Sequence, residues 1–565
     1  MIYKIADNVL SPLGNTTSEN YQAVKSGRSA IQRHEGFWRL KEPFSSAFFP
    51  KEAIAHLCTE GMTPFESLVL YSIQKALEQT ELDVTKKNVV LILSTTKGNI
   101  ELLESQHGKD IDISPATSAS RLASHLGMTT EPIAVCNACI SGVAAILLAQ
   151  HLLEAHCYDY AIVCGADVLT HFTVSGFQSL MACSEETCKP FDMERKGLNL
   201  GEAAATMILA RSIDGNKEAW AIERGAVRND AYHISSPSKE GKGALLALQA
   251  AKGDINNEEI AFINAHGTAT LFNDQMESVA VERAGLSDVP VNSLKGYFGH
   301  TLGAAGILET VLSMAALDDH TILGTRGFAE RGVSGHILLS AHHEATSRQR
   351  FIKMISGFGG CNAAMLVTHT SPKQEEKRPL PILRAAHHVI LTPEHMNVDG
   401  RESMLKEGRQ LIMLYKQYVN DYPRFYKMDP LCRLGFLAVE MLLQAENSQE
   451  DTADEERTVI LFNHSSSIVA DKAYQKTINS TREYFPSPSA FVYTLPNIVT
   501  GEIAIRHDYH NETSFYMLKE KNEETMSKIV RATLADTPTT SAISGWLDYA
   551  DESHFEADIT LFVKQ

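Results

Sequence analysis

The sequence is short of cysteine, short of basic residues and without a long uninterrupted apolar run. Nine cysteines in 565 residues are too few, and odd in number, for a disulfide framework. They read as reduced thiols of a cytoplasmic protein. The most apolar stretch, Ala134 to Ala149, is broken by Asn137 and Ser141. It is too short and too polar to span a bilayer. The opening MIYKIADNVLSPLG carries no basic segment leading into an apolar one, so no secretory signal is expected. Lys and Arg number 51 against 69 Asp and Glu, a formal charge of −18. Such a chain is a poor general binder of nucleic-acid phosphates. A local basic patch for an acidic partner is compatible with that balance. Hydrophobic residues at 44% and charged residues at 21% exclude wholesale disorder.

What is there is an α/β texture. Runs such as Val89 to Leu93 and Tyr160 to Cys164 alternate with helical patterns such as Phe65 to Gln79 and Ser141 to Glu154. Alternation of this kind predicts a mainly parallel, buried sheet over residues 1–370, in two halves of about 1–215 and 216–370. Residues 371–380, polar and Pro-containing, read as a linker. Residues 381–565 form a second α/β segment that reads as a weak repeat of the first half. Met428-Asp429-Pro430-Leu431 opens a helix before the strand Thr458 to Asn463, as Met62-Thr63-Pro64-Phe65 does before Val89 to Ser94. Leu122 to Gly127 and Leu495 to Gly501 fall in comparable places. The acidic run Glu446 to Glu456 reads as a solvated loop.

Four segments carry chemistry. Val135-Cys136-Asn137-Ala138-Cys139-Ile140-Ser141-Gly142 puts a Cys at a strand-to-helix turn. The positive end of a helix dipole there is expected to lower the thiol pKa. Asn264-Ala265-His266-Gly267-Thr268-Ala269-Thr270, with Asn273-Asp274 after it, places a His beyond the apolar run Ile260 to Ile263. Asn292-Ser293-Leu294-Lys295-Gly296-Tyr297-Phe298-Gly299-His300 runs into a small-residue helix that carries Glu309. Ser356-Gly357-Phe358-Gly359-Gly360-Cys361-Asn362 is a glycine-rich turn with one large aromatic. Alone, each is ambiguous. Buried cysteines are mostly inert, and lone histidines are mostly structural. Neither a Walker pattern nor a dinucleotide fingerprint is present. The CxxC of Cys136 and Cys139 lacks a second ligand pair at metal spacing, so a zinc or redox reading is weak. Cys183 and Cys188 are most simply two free thiols.

Taken together, one Cys and two His in Gly-flanked, strand-terminal settings describe a thiol nucleophile with two imidazole partners. The order of Cys, then His-Gly-Thr-Ala-Thr, then Lys-x4-His-x2-Gly-Ala-Ala-Gly resembles the β-ketoacyl-acyl-carrier-protein synthases of the elongating, fatty-acid and polyketide type. Ser11-Pro12-Leu13-Gly14-Asn15, Pro190-Phe191-Asp192 with Arg195, and Gly201-Glu202 add to the likeness, which spans residues 1 to about 370. The resemblance implies a thiolase-like layered αβαβα double domain. It implies that Cys139 accepts the acyl group. His266 and His300 would bind the malonyl thioester carbonyl and assist decarboxylation. Lys295 and Glu309 would form a buried ion pair near the site. Thr268 and Thr270 would hydrogen-bond a phosphopantetheine arm, with Asp274 in support. Phe358, next to Gly359, would gate the acyl pocket, and its N–H with that of Cys139 would form the oxyanion hole. No metal and no tightly bound cofactor is expected. The expected partners are an acyl carrier protein and a second synthase-like subunit, as a homodimer across a sheet edge or a chain-length-factor-like pairing.

Two departures bear on pocket depth. Ala203-Ala204-Ala205 stand where the family usually has glycines, and Ser356 stands where a second Phe is frequent. In the 381–565 segment the last cysteine is Cys432, and the counterpart of Cys139 is expected within Tyr509 to Thr513. That segment therefore reads as a degenerate, non-catalytic copy. The alternatives are a chain-length-factor-like scaffold, which retention of Cys139, His266 and His300 argues against, and a coenzyme A thiolase, for which Cys361 stands in an unsuitable context.

Overall fold

The computed structural model describes residues 1–565 other than 41, 106–111, 214, 216, 374–376, 406–409, 447–456, 480–483 and 538. One five-strand pattern occurs three times. In the first unit β1 (Ile2–Leu10), β2 (Val89–Ser94), β3 (Ile133–Val135), β4 (Tyr160–Asp167) and β5 (Ala203–Ala210) lie in the order β1-β5-β4-β2-β3. The β1·β5 and β4·β5 pairs are antiparallel, and β2·β4 and β2·β3 are parallel. Its helices include α1 (Pro64–Leu77), α2 (Pro115–His125) and α3 (Ser141–Glu154).

The second unit repeats the pattern with β6 (Ala219–Asn229), β7 (Phe262–Asn264), β8 (Pro290–Asn292), β9 (Arg350–Ser356) and β10 (Cys361–Thr370), in the order β6-β10-β9-β7-β8. The senses are the same: two antiparallel pairs, then two parallel ones. Its long helix α4 (Ala305–Asp318) packs on α3. Both helices are almost wholly buried and touch strands of both sheets, so they form a central layer. The two helices meet through glycine. A Cβ on Gly306 would lie 2.6 Å from the Val143 nitrogen. With α1 outside one sheet and helix Lys242–Lys252 outside the other, the layers run αβαβα.

Residues 381–565 supply the third unit. Its strands are β11 (Leu383–Leu391), β12 (Thr458–Asn463), β13 (Thr513–Met517), β14 (Ser541–Asp551) and β15 (His554–Lys564), in the order β11-β15-β14-β12-β13. Again two antiparallel pairs precede two parallel ones. Helices α5 (Pro430–Ala445), α6 (Ile498–His507) and α7 (Glu523–Asp536) stand where α1, α2 and α3 stand in the first unit. The correspondence of α2 with α6 shifts one expected match. Leu122 to Gly127 closes α2, whereas Leu495 to Gly501 opens α6. The acidic run expected to be a loop lies, from 447 to 456, outside the described residues.

Units one and three join edge to edge. Strand β3 pairs antiparallel with β13, Val135 opposite Tyr516 and Ala134 opposite Met517. This corrects the expectation of a homodimer across the sheet edge, because the chain's own β13 occupies the edge. Beside this seam α3 packs on α7. Arg378 of the predicted linker ion-pairs with Glu154 of α3 and Asp536 of α7. A second tie is deeper. Lys97, between β2 and α2, pairs with Asp471 of the third unit at 2.8 Å and also donates to the Thr494 carbonyl. Both side chains are buried. No helix among the described residues is long and apolar enough to cross a membrane.

Lys97→Met would strand the Asp471 carboxylate in the seam. Loss of one partner of a buried pair costs about 3–5 kcal/mol, so thermal unfolding should shift to clearly lower temperature. A chain cut after residue 370 bares β3 and should self-associate, seen as a concentration-dependent mass in light scattering.

Candidate active site

Six of the sequence-predicted site residues, Cys139, His266, His300, Thr268, Thr270 and Phe358, line one cavity at the ends of β3, β7 and β8. Lys295 and Glu309 pair behind it, and Gly359 and Asp274 support the loops around it. The turn after β3 is strained: Ala138 has φ +47°. It delivers Cys139 to the start of α3, a conformation that the fold must hold by outside contacts. Ser141 Oγ accepts from the Asn137 N–H and donates to the Ala138 carbonyl from within the first unit, and further contacts come from the third unit. The Phe515 N–H donates to Asn137 Oδ1 at 2.8 Å, and the Cys136 N–H donates to the Phe515 carbonyl at 3.3 Å.

His266 leaves β7 and His300 follows the turn after β8. Cys139 Sγ and a nitrogen of each imidazole lie within 4.8 Å of one another. The two rings stand edge to face, centroids 4.8 Å apart. Nδ1 of His266 and both ring nitrogens of His300 are buried without a hydrogen-bond partner among the described residues. Buried polar atoms left unpaired are costly and point to a missing ligand. Burial, with the Lys295 ammonium next, holds both imidazoles well below their usual pKa, so they are neutral at physiological pH. By distance, the Cys139, His266 and His300 set is also the one group among the described residues able to hold a metal ion.

Behind the histidines lies a charge cluster. Glu309 of α4 takes Lys295 on one oxygen and Lys353 of β9 on the other, the latter at 2.6 Å. The two ammonium groups hold the Glu309 carboxyl below its ordinary pKa against burial. Burial brings Lys353 down to about 8. Sequence reasoning missed Lys353. Its signal was a lone lysine inside the apolar strand Phe351-Ile352-Lys353-Met354-Ile355, which a buried strand tolerates only with a counter-charge. Also missed was Glu277, which accepts the His266 and Gly267 N–H groups at 2.7 Å and fixes the turn that carries His266. Asp274 does similar work, accepting from the Ala269 and Phe191 N–H groups.

The expected lowering of the Cys139 pKa does not hold in this resting state. Burial pushes the thiol up to about 12, overriding the pull of Lys295, while Asp167 pushes it further up. The N–H groups of Cys139 and Phe358 face the sulfur and oppose that rise. All nine cysteines are free, Cys136 and Cys139 included.

A cavity of about 350 Å³ opens onto the sulfur, lined among others by His266, His300, Thr268, Thr270 and Phe358. The two threonine hydroxyls bond each other at 2.9 Å. Leu271 and Phe272, largely exposed, stand at its wall toward solvent. Phe358 stacks against Phe177 at 6.1 Å, and Phe177 meets Phe491 of the third unit at 5.4 Å. The Phe491 ring fills the space left by Gly176, where a Cβ would lie 2.1 Å from it.

This geometry meets its match in known proteins. Residues 5–214 match the β-ketoacyl synthase N-terminal domain, and residues 221–329 match the β-ketoacyl synthase C-terminal domain. The chain belongs to the β-ketoacyl synthase family. The 3-oxoacyl-[acyl-carrier-protein] synthase 2 of Vibrio cholerae is 27% identical over 398 residues, covering 63% of this chain and 96% of that protein. Nodulation protein E of Rhizobium leguminosarum bv. trifolii is 28% identical over 265 residues, 44% of this chain and 65% of that one. The ketosynthase ApeO of Xenorhabdus doucetiae, solved in complex with its chain length factor ApeC, superposes on 65% of this chain and 98% of its own, with a TM-score of 0.56 and 26% identity. The PfaC keto synthase–chain length factor structure covers 100% of this chain and 78% of its own, with a TM-score of 0.79. At 15% identity that likeness is one of fold.

In this synthase the counterpart of Cys139 differs from the expected one. Val135 and Met517 end their strands level with Ser94 and Asn463. Four residues on from each stand Cys139 and Lys521, and helices α3 and α7 begin two residues later. Lys521, not a residue of Tyr509 to Thr513, occupies the nucleophile's place. It is ion-paired with Glu556 and Asp558.

Alkylation of Cys139 by iodoacetamide should be slow at neutral pH. Its rate should climb about tenfold per pH unit from 7 to 10 without a plateau, following the thiolate fraction of a thiol pushed up to about 12. Stopped alkylation with peptide mass mapping checks both points.

Proposed function

We propose that this synthase performs a decarboxylative Claisen condensation between an acyl thioester and malonyl-carrier protein. The observation that carries the reading is the pair of neutral imidazoles, with unpartnered nitrogens, facing the Cys139 sulfur across the cavity. The thiol of Cys139 attacks the acyl thioester carbonyl. The carrier's thiol leaves with the proton, and an acyl-enzyme forms. Malonyl-carrier then enters. Its carboxylate leaves as carbon dioxide, and the electron pair moves onto the thioester oxygen. An N–H from each of His266 and His300 stabilises that enolate, which neutral rings can do without supplying a proton. The enolate carbon attacks the acyl carbonyl on Cys139. The N–H groups of Cys139 and Phe358 hold the resulting oxyanion, and the Cys139 thiolate departs.

The other site residues have supporting parts. Lys295, Glu309 and Lys353 keep the histidines neutral by placing net positive charge behind them. Thr268 and Thr270 take the phosphopantetheine arm that the carrier brings as part of the substrate. Phe358 gates the acyl pocket. Fatty-acid and polyketide-type substrates both suit this chemistry, in a cytoplasm that keeps the nine thiols reduced.

Residues 381–565 act, in this reading, as a built-in non-catalytic partner, a degenerate copy of the first synthase half. The repeated strand order and the ion-paired Lys521 in the nucleophile's place support this. Phe491 in the wall behind Phe177 gives it a part in limiting chain length, as a chain-length-factor-like element.

The test is intact-protein mass after mixing with acyl-carrier thioesters. We expect an acyl adduct on Cys139, absent in Cys139→Ala, and its discharge with release of carbon dioxide when malonyl-carrier is added. His300→Ala should retain the adduct and lose condensation by about 10²–10³-fold, the usual cost of one such donor. No adduct with any of several starters refutes the reading.

A further inference from the structure

The loop Gly357–Gly360 carries the gate Phe358 and the N–H that faces the Cys139 sulfur. Its own ties run elsewhere. The Gly357 N–H donates to the Cys361 carbonyl at 2.8 Å, and the Gly359 N–H to the Ile234 carbonyl at 2.7 Å. The two carbonyls at the crest of the loop are held by side-chain amides. Asn497 Nδ2 donates to the Phe358 carbonyl at 2.9 Å. Asn229 Nδ2 donates to the Gly359 carbonyl at 2.9 Å. Asn497 belongs to the third unit, just before α6, and is 2% exposed. Asn229 belongs to the second unit, but it too leans on the third. Its amide also donates to Thr513 Oγ1 at 2.9 Å, and its backbone N–H donates to the His510 carbonyl at 3.0 Å.

The approach is as close as backbone permits. A Cβ on Gly359 would lie 2.6 Å from Asn497 Nδ2, and a Cβ on Gly501 would lie 2.6 Å from the Gly359 carbonyl oxygen. Gly359 and Gly360 both have positive φ, +89° and +71°, so the loop can take shapes that other residues could not. A loop with that freedom needs an outside tie to hold one shape. Cys361 Sγ also reaches the Phe358 carbonyl at 3.2 Å, and the Asp230 N–H and Asn362 Nδ2 hold the Gly360 carbonyl. Of all these carbonyl ties, the one from Asn497 comes directly from the appended segment.

We propose that Asn497 is a positioning residue for the condensation: it pins the Phe358 carbonyl so that the Phe358 N–H stays on the Cys139 sulfur and the ring returns to one closed position. The appended segment then does more than line the pocket. It sets the geometry of a donor used in every turnover. This inference rests on the proposed function for its role in condensation, and on the loop geometry alone for its effect on the thiol.

Asn497→Ala and the isosteric Asn497→Asp test it in the full-length chain. Both remove the amide donor, and Asn497→Asp keeps the shape. We expect turnover with saturating acyl- and malonyl-carrier to fall about fivefold to tenfold, the scale of one buried hydrogen bond, with KM for either carrier within twofold of wild type. We also expect Cys139 alkylation at pH 8 to slow about threefold, since a thiolate that loses an N–H partner forms less readily. Wild-type turnover together with a wild-type alkylation profile in both variants overturns the proposal. So does a fall in turnover that merely tracks the folded fraction while alkylation of the folded protein is unchanged. A wild-type chain that takes no acyl group defeats the proposed function instead. The alkylation profile needs no carrier and still decides the role of Asn497.

Discussion

An unpaired sheet edge is the constraint on which this molecule is organised. Strand β3 is three residues long, fully buried, and ends at the turn that bears Cys139. Left open, its N–H and C=O groups would face solvent beside the nucleophile. Pairing with β13 closes it and does a second thing at once. It brings Phe515 against Asn137 and Cys136, so the strained turn at Ala138 is held from outside. The seam between units and the posture of the nucleophile are therefore one interaction.

The electrostatics of the site follow from burial. The charges that act on the two imidazoles are those of Lys295 and Lys353, the lysine side of a Lys–Glu–Lys cluster. Such a cluster carries one net positive charge in a low-dielectric interior, and positive charge disfavours imidazolium. The same burial keeps the thiol protonated at rest. The sulfur becomes reactive only as the surrounding dipoles, the two N–H groups among them, take up charge during the reaction. That is the logic of a preorganised polar site that does little until charge develops.

Much of this was legible in the sequence because the reacting residues sit at ends of strands with glycine around them. Cys139, His266 and His300 could be picked out by their Gly-flanked, strand-terminal settings, and Ser141–Glu154 by pattern. The parts of Phe358 and of the Lys295–Glu309 pair came with the family resemblance. The effect of burial on the thiol did not, because a dipole is a local feature and desolvation is not. Lys353 was hidden by its apolar neighbours, which read as an ordinary strand. Lys521 was misplaced because Leu495 to Gly501 was aligned with the end of α2 and belongs at the start of α6. Asn497 and Asn229 were unreadable. Their importance lies in contacts made across more than a hundred residues of chain, and an isolated Asn before a helix reads as a cap.

The tether between β10 and β11 is a dozen residues of chain, and part of it is pinned at Arg378. Two pieces joined in this way meet at an effective concentration set by the tether, not by expression. Their ratio is fixed at one to one, and neither can trade partners. A change in the Gly176 face and a compensating change at Phe491 then pass on together as one inherited unit. Pocket shape in this protein is a property of a single gene product, and related enzymes in the same cell cannot blend it by exchanging subunits.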